Sequence, residues 1–300
     1  MKTMITMFSI ALSIAVQAQS IEKFSIDSGG ASVTAGGIQM LYTIGEVNVQ
    51  ELSTGGISVS EGFINPMSLM IKLDPKIFLE GPYNAGQMND VLRSTDNIPT
   101  SSPYVDNATC NATVFDTTGA NAIIDWVWIE LRDSNDGITV LAETSALLQA
   151  DGDVVATDGT SVININVSPG NYYVMVSHRN HLGVLTANPI NLSGSATVLD
   201  LTTNSLLVTG GANGIANMDD GNYALFAGDF DGNGQIQNSD AVGALPFIGL
   251  SGYLNADIDM NSQGQNTDIL NTLNPNIGRG EQYSSRQLFA KRKTTTENDN

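Results

Sequence analysis

Two acidic loops of matching design constrain this 300-residue chain more than any other feature, the second beginning 28 positions after the first. The first runs from Asp229 through Asp231, Asn233, Gly234, Gln235 and Gln237 to Asp240. The second runs from Asp257 through Asp259, Asn261, Ser262, Gln263 and Gln265 to Asp268. Oxygen-bearing side chains fall at loop positions 1, 3, 5, 9 and 12 of both copies. That spacing lets a 12-residue loop turn its oxygens inward around one hard cation, and calcium takes roughly six to eight such ligands.

The residue types predict two calcium ions. In the first loop Asp229, Asp231 and Asn233 supply side-chain oxygens, Gln235 its backbone carbonyl, Gln237 a direct or water-borne ligand, and Asp240 closes the sphere. In the second loop the same roles fall to Asp257, Asp259, Asn261, Gln263, Gln265 and Asp268. Gly234 sits where the loop must turn sharply, and Ile236 is expected to enter the core and pair with its counterpart in the other loop. The second loop has Ser262 for the turn glycine and Gly264 for the core aliphatic residue. A left-handed serine costs free energy and a glycine packs nothing, so the second site is expected to be weaker.

A short helix should follow each loop, with Pro246 limiting the first to about 240–245 and Pro275 bounding the second at 268–273. Aspartate at position 12 and one helix per loop resemble the dockerin family, over about 45 residues. The resemblance implies a paired loop–helix calcium module that docks onto a protein. The basic residues that often serve recognition in that family are missing from both helices, which counts against a cohesin-type partner.

Charge narrows the partners further. The net charge of −19 argues against nucleic acid, whose phosphates would be repelled. With 41% hydrophobic residues the chain can build a core. Lys2, an apolar run from Met4 to Val16 and small residues before Ala18 have the form of a secretory signal, with cleavage expected after Ala18. The run is too short to span a bilayer, and no other stretch suffices. A secreted or cell-surface location is expected. The single cysteine, Cys110, excludes a disulfide framework and has no nearby histidine to activate it.

The remaining pattern is mainly β. Residues 19–68 read as a small β unit, with strands at 39–44 and 56–60 and Gly-Gly pairs as turns. Its Gly30-Ala-Ser, Tyr42-Thr-Ile-Gly-Glu46 and Ser60-Glu-Gly-Phe63 strings resemble a segment near the start of exported multi-module surface proteins of Gram-negative bacteria. Residues 69–210 read as an antiparallel β-sandwich with a long polar loop at 81–122. Strands are expected at 71–79, 122–131, 139–143, 161–167, 172–176 and 195–201. Ile163, Ile165 and Val167 alternate with Asn164 and Asn166, the pattern of a half-buried strand. Apolar residues on both faces of 124–131 predict layers, or a covering loop, on both sides. The Pro169-Gly170-Asn-Tyr172 turn is similar to one in carboxypeptidase-regulatory-like and prealbumin-like sandwiches. Residues 211–280 form the calcium module, and 281–300 read as a flexible polar tail.

Catalytic motifs are missing: there is no Gly-x-Ser-x-Gly, phosphate loop or dinucleotide fingerprint. His178 and His181, the only histidines, are expected to hydrogen-bond a loop at a strand end, with a sugar or ion contact as the alternative. Glu80, Asp125, Glu130 and Asp133 remain available for a carboxylate pair of the glycosidase kind. Trp126 and Trp128 either pack in the core or stack on sugars. The His178-Arg-Asn-His-Leu182 string, with Asp125-Trp126, Glu130-Leu-Arg-Asp133 and Leu147-Leu-Gln-Ala-Asp-Gly152, resembles exported bacterial proteins that carry a hemagglutinin label. The expectation is a non-catalytic calcium-binding adhesion or assembly module that meets a cell-surface protein or glycan. The alternative is a component of a polysaccharide system.

Overall fold

The structure, a computed structural model, describes residues 30–35, 38–43, 51–54, 57–60 and 70–284. The predicted signal segment and residues 285–300 of the predicted tail lie outside these. The chain divides into two units, one up to Met67 and one from Ser68 onward. In the first unit, β1 (Gly30–Ala35) pairs antiparallel with β2 (Ile38–Thr43), and β3 (Glu51–Thr54) with β4 (Ile57–Ser60). The Gly-Gly pairs between these strands, expected as turns, lie outside the described residues.

The second unit is mainly β. Its strands include β5 (Met70–Lys76), the short hairpin β6 (Tyr83–Asn84) and β7 (Gln87–Met88), β8 (Ile123–Asp133), β9 (Val140–Gln149), β10 (Val154–Val155) and β11 (Ile163–Asn166). They continue with β12 (Gly170–His178), β13 (His181–Leu185), β14 (Ile190–Leu192) and β15 (Ala196–Asp200). One sheet runs β10-β9-β8-β12-β13, with β14 also on β12. The other runs β11-β5-β15, in which β15 lies parallel to β5. The two sheets share one core, in which Ile71 and Leu73 of β5, Ile163 and Ile165 of β11 and Val127, Ile129 and Leu131 of β8 are all buried. On β11, Asn164 and Asn166 are exposed, so the strict alternation of that segment is its burial pattern.

Strand β8 is buried along nearly its whole length because its outer face is covered as well. The Trp126 indole donates to Pro99 O at 2.8 Å, and the Tyr104 ring lies 5.6 Å from that of Trp128. The polar 81–122 segment is therefore a lid over two tryptophans, and both rings are core. Farther along the same face, Arg132 donates to Glu130 at 2.9 Å, and the Trp128 indole donates to Glu130 at 3.2 Å. The guanidinium of Arg132 stacks 5.0 Å from the Tyr283 ring and donates to Ser284 O. Residues 281–284, placed in the tail by the sequence, thus cover the Glu130–Arg132 pair. The close approach of Tyr283 requires Gly183, where an added Cβ would lie 2.2 Å from the phenol oxygen. The Pro169–Gly170 turn is closed by Tyr172, whose hydroxyl donates to Ser168 O.

Short strands β16 (Ala216–Asn217) and β17 (Tyr223–Ala224) lead into the acidic module. The chain then runs beside residues 78–80, with Leu225 N–H donating to Phe78 O and Glu80 N–H to Leu225 O. It also meets the start of β13, through a bridge between His181 and Ala227.

Candidate metal centre and the latch beneath it

The two acidic loops share one hydrogen-bond pattern. The N–H at position 6 donates to the position 1 carboxylate, Gly234 to Asp229 at 3.1 Å and Ser262 to Asp257 at 2.8 Å. The N–H at position 7 donates to the position 5 amide oxygen, Gln235 to Asn233 and Gln263 to Asn261. The position 12 carboxylate accepts from position 9 in both, Gln237 to Asp240 at 2.8 Å and Gln265 to Asp268 at 2.7 Å. That last bond also starts each helix, since an acid in the first turn accepts the orphan N–H at the helix entrance. The helices run Asn238–Ala244 and Asp268–Leu273, each followed by a tight turn containing the predicted proline.

This geometry gathers the carboxylates. Oxygens of Asp229, Asp231 and Asp240 lie within 4.8 Å of one another, as do those of Asp257, Asp259 and Asp268. The donor sets are all oxygen, the chemistry that suits a hard cation such as calcium. Asn233 and Asn261 lie beside these triads, each donating its amide to the position 3 carboxylate at 3.0 Å. Gln237 and Gln265 each donate their side-chain amide to the glutamine at position 7. Gln235 sits between ladder residues, for Gly234 O accepts from Glu281 and Ile236 exchanges bonds with residues 278 and 279. Extended alternation therefore turns its carbonyl to the loop side, the orientation expected of it.

The partner of that ladder corrects the sequence expectation. Ile236 is buried, but it does not pair with its counterpart Gly264. It pairs with the segment after the second helix, while Gly264 exchanges bonds with Gly249 and Leu250 after the first. Each loop is thus clipped by the strand that leaves the other repeat. Gly264 is required there, because an added Cβ would lie 2.5 Å from Phe247 O. Ser262 does take the left-handed conformation, at φ +74°. Its hydroxyl is held by Asn97 Nδ2 at 2.5 Å and by Thr95 Oγ1 at 3.1 Å. Met260, also left-handed at φ +58°, is buried in the sandwich core. The second loop is therefore bound into the sandwich at three places.

Burial and mutual repulsion disfavour ionisation here. Burial, then the Asp268 charge, push Asp257 up to about 7 against the pull of Arg179, and the same two causes push Asp259 up to about 6. Burial also raises Asp240.

Beneath the second loop lies a buried polar latch. The turn of the β12–β13 hairpin is Arg179–Asn180, flanked by His178 and His181. Asp125, on β8, accepts from His178 Nε2 at 3.0 Å, Arg179 Nε at 2.9 Å and the Tyr253 hydroxyl at 2.6 Å. Although burial opposes it, the Arg179 charge and the His178 bond hold Asp125 well below the usual carboxylate range. Arg179 stacks 4.3 Å from the Tyr253 ring and donates to Leu254 O. Asn180 Nδ2 donates to Asp257 O at 2.9 Å, tying the turn to the first ligand residue. His181 Nε2 accepts from Gly81 N–H, so a neutral His181 carries its proton on Nδ1, 3.1 Å from His178 Nδ1. The nearer partner of His181 Nδ1 is Asn180 Oδ1 at 2.8 Å, an acceptor for that proton, while His178 turns its Nε2 to Asp125. Both histidines are fully buried, and burial lowers His181 well below its ordinary pKa.

Each of the four carboxylates available for a hydrolytic pair has a bonding partner in the fold. Asp125 is in the latch and Glu130 is bonded to Arg132. Glu80 accepts from Ala227 N–H and Asn276, while Asp133 accepts from Asn135. The sequence carries no local mark of Asp125 as a hub or of Tyr253 as its partner. Cys110 is half-buried, which raises its thiol.

No protein-family model matches the chain, and no curated protein matches it. Among solved structures, it is similar at 12% identity to a C-terminal interface mutant of a type II cohesin–X-dockerin complex from Acetivibrio cellulolyticus, over 70% of this chain and 97% of that one, with a TM-score of 0.38. An N-terminal interface mutant of the same complex gives a TM-score of 0.34 at 12% identity, over 71% and 96%. Values this low do not establish a shared fold. No helix among the described residues is long and apolar enough to cross a membrane.

Two outcomes follow from the site. Asp125→Ala leaves the Arg179 charge buried without its partner and should cost about 3–5 kcal/mol in urea denaturation; a cost under about 1 kcal/mol would show that the latch carries little. Because the raised Asp257 is protonated more readily folded than unfolded, its contribution weakens the metal-free fold as pH rises toward and past about 7. Asp257→Asn should therefore stabilise the protein in chelator at pH 8, with a gain that shrinks toward pH 5. A gain independent of pH would contradict the shift.

Proposed function

We propose that this chain is an exported, calcium-binding attachment or assembly module without catalytic activity of its own. The observation that carries this is the pair of carboxylate triads, each within 4.8 Å, in loops that share most of their internal bonds. One ion per loop would be held by Asp229, Asp231 and Asp240, and by Asp257, Asp259 and Asp268, with Asn233, Asn261 and the carbonyls of Gln235 and Gln263 completing the sphere. Calcium supplies charge compensation there. It replaces repulsion with attraction, so binding energy becomes folding energy.

The protein's own residues convert that local effect into a rigid whole. Asn180, Arg179, Thr95, Asn97 and Met260 attach the second loop to the sandwich. Export is supported by the signal-like N-terminus, and a protein-facing or glycan-facing role by the acidic, mainly β surface.

Chelator should lower the melting temperature at pH 8 by on the order of 5–10 °C, the effect of two sites filled well above their dissociation constants. Asp229→Ala combined with Asp257→Ala should abolish the difference. Identical melts of the wild type with calcium and with chelator would overturn the proposal.

A further inference from the structure

The long segment between β7 and β8 does more than cover the tryptophans. Arg93, Asp96, Ile98, Thr100, Phe115 and Asp116 are among the residues that line an open cleft of about 330 Å³. That volume is at the small end of the range for ligand sites. Its lining combines a half-buried aromatic ring and Ile98 with two exposed carboxylates, a hydroxyl and a guanidinium.

The guanidinium is fixed in place. Arg93 Nε and Nη2 donate to Asp90 at 2.9 and 2.6 Å, and Nη1 donates to Phe115 O at 3.1 Å. Arginine has more N–H groups than these bonds use, so donors remain for a ligand. Asp96 is held at φ +56°, a conformation that non-glycine residues adopt only at a cost. Its neighbours on both sides, Thr95 and Asn97, bond the Ser262 hydroxyl of the second acidic loop. The strained residue is thus braced from behind while its side chain lines the cleft.

Charge selects the ligand class. An anion would meet Asp96 and Asp116, on a chain of net charge −19. A bare cation would meet Arg93, and the two acidic loops are the only described places where three ligand groups come within 4.8 Å. A neutral polyhydroxylated ring fits both halves. Its hydroxyls donate to the carboxylates and accept from Arg93, and its C–H face packs on Phe115 and Ile98.

We propose that this cleft is a binding site for a neutral saccharide residue. None of the groups lining the cleft is a ligand of the loops, and a positive result would make the attachment target a glycan. The test is calorimetric titration of the full chain with methyl pyranosides of glucose, galactose, mannose and N-acetylglucosamine, and with short oligomers of each, in calcium and in chelator. Saturable binding by one of them in either condition, weakened at least tenfold by Phe115→Ala and by the surface change Asp116→Ala, supports the cleft. Because Phe115 also packs on the core, the Asp116 variant keeps the test decisive should the first misfold. No saturable heat with any sugar in either condition, or binding indifferent to Asp116→Ala, overturns it. Binding with no effect of calcium on the melt would reject the calcium reading and keep this one.

Discussion

Packing three carboxylates within 4.8 Å, with the first and last of each set fully buried, is the constraint on which the acidic module of this protein rests. Backbone N–H groups offset part of the cost through a set of bonds common to both loops, to which the second loop adds Ile258 N–H on Asp268 and Asn261 N–H on Asp257. They do not cancel the cost of burial, nor the repulsion that adds to it, which is why Asp257 and Asp259 are shifted upward from free aspartate. A divalent cation is the one common partner that answers burial and repulsion together.

The consequences of that charge balance reach the sandwich through a short path. Asp257 begins the second loop, its carbonyl is held by Asn180, and Asn180 belongs to the turn whose neighbours His178 and Arg179 grip Asp125 on β8. Gly81 lies against the same place, since an added Cβ would sit 1.9 Å from Ile258 O. The first loop is clipped by the segment from Gly278 to Glu281, which continues over Arg132. Both repeats are therefore fastened to the sheet, one through the hairpin turn and one through the strap.

Much of this was legible in the sequence wherever the signal was local. The alternation at 163–167, the proline stops after the acidic loops and the position 12 aspartates set strands, helix ends and the carboxylate triads. The structural reading of His178 and His181 was also legible, because neither lies beside a third ligand. What was not legible depended on distant partners. Nothing near Ile236 says that it pairs beyond the second helix, and nothing near Asp125 names Arg179 and Tyr253. Gly264 looked like a lost core contact because the Phe247 carbonyl that demands it is visible only in the fold. The polar composition of 81–122 marks it only as a long loop, yet its segments cover Trp126 and Trp128 and shape a cleft.

The most direct measurement is the stoichiometry of calcium uptake by the intact chain at pH 8, read by isothermal titration from a chelator-stripped sample. Two ions per chain, falling to one in Asp229→Ala, are predicted. No heat above dilution, or uptake that survives loss of both Asp229 and Asp257, would contradict the claim that these paired carboxylates are metal sites.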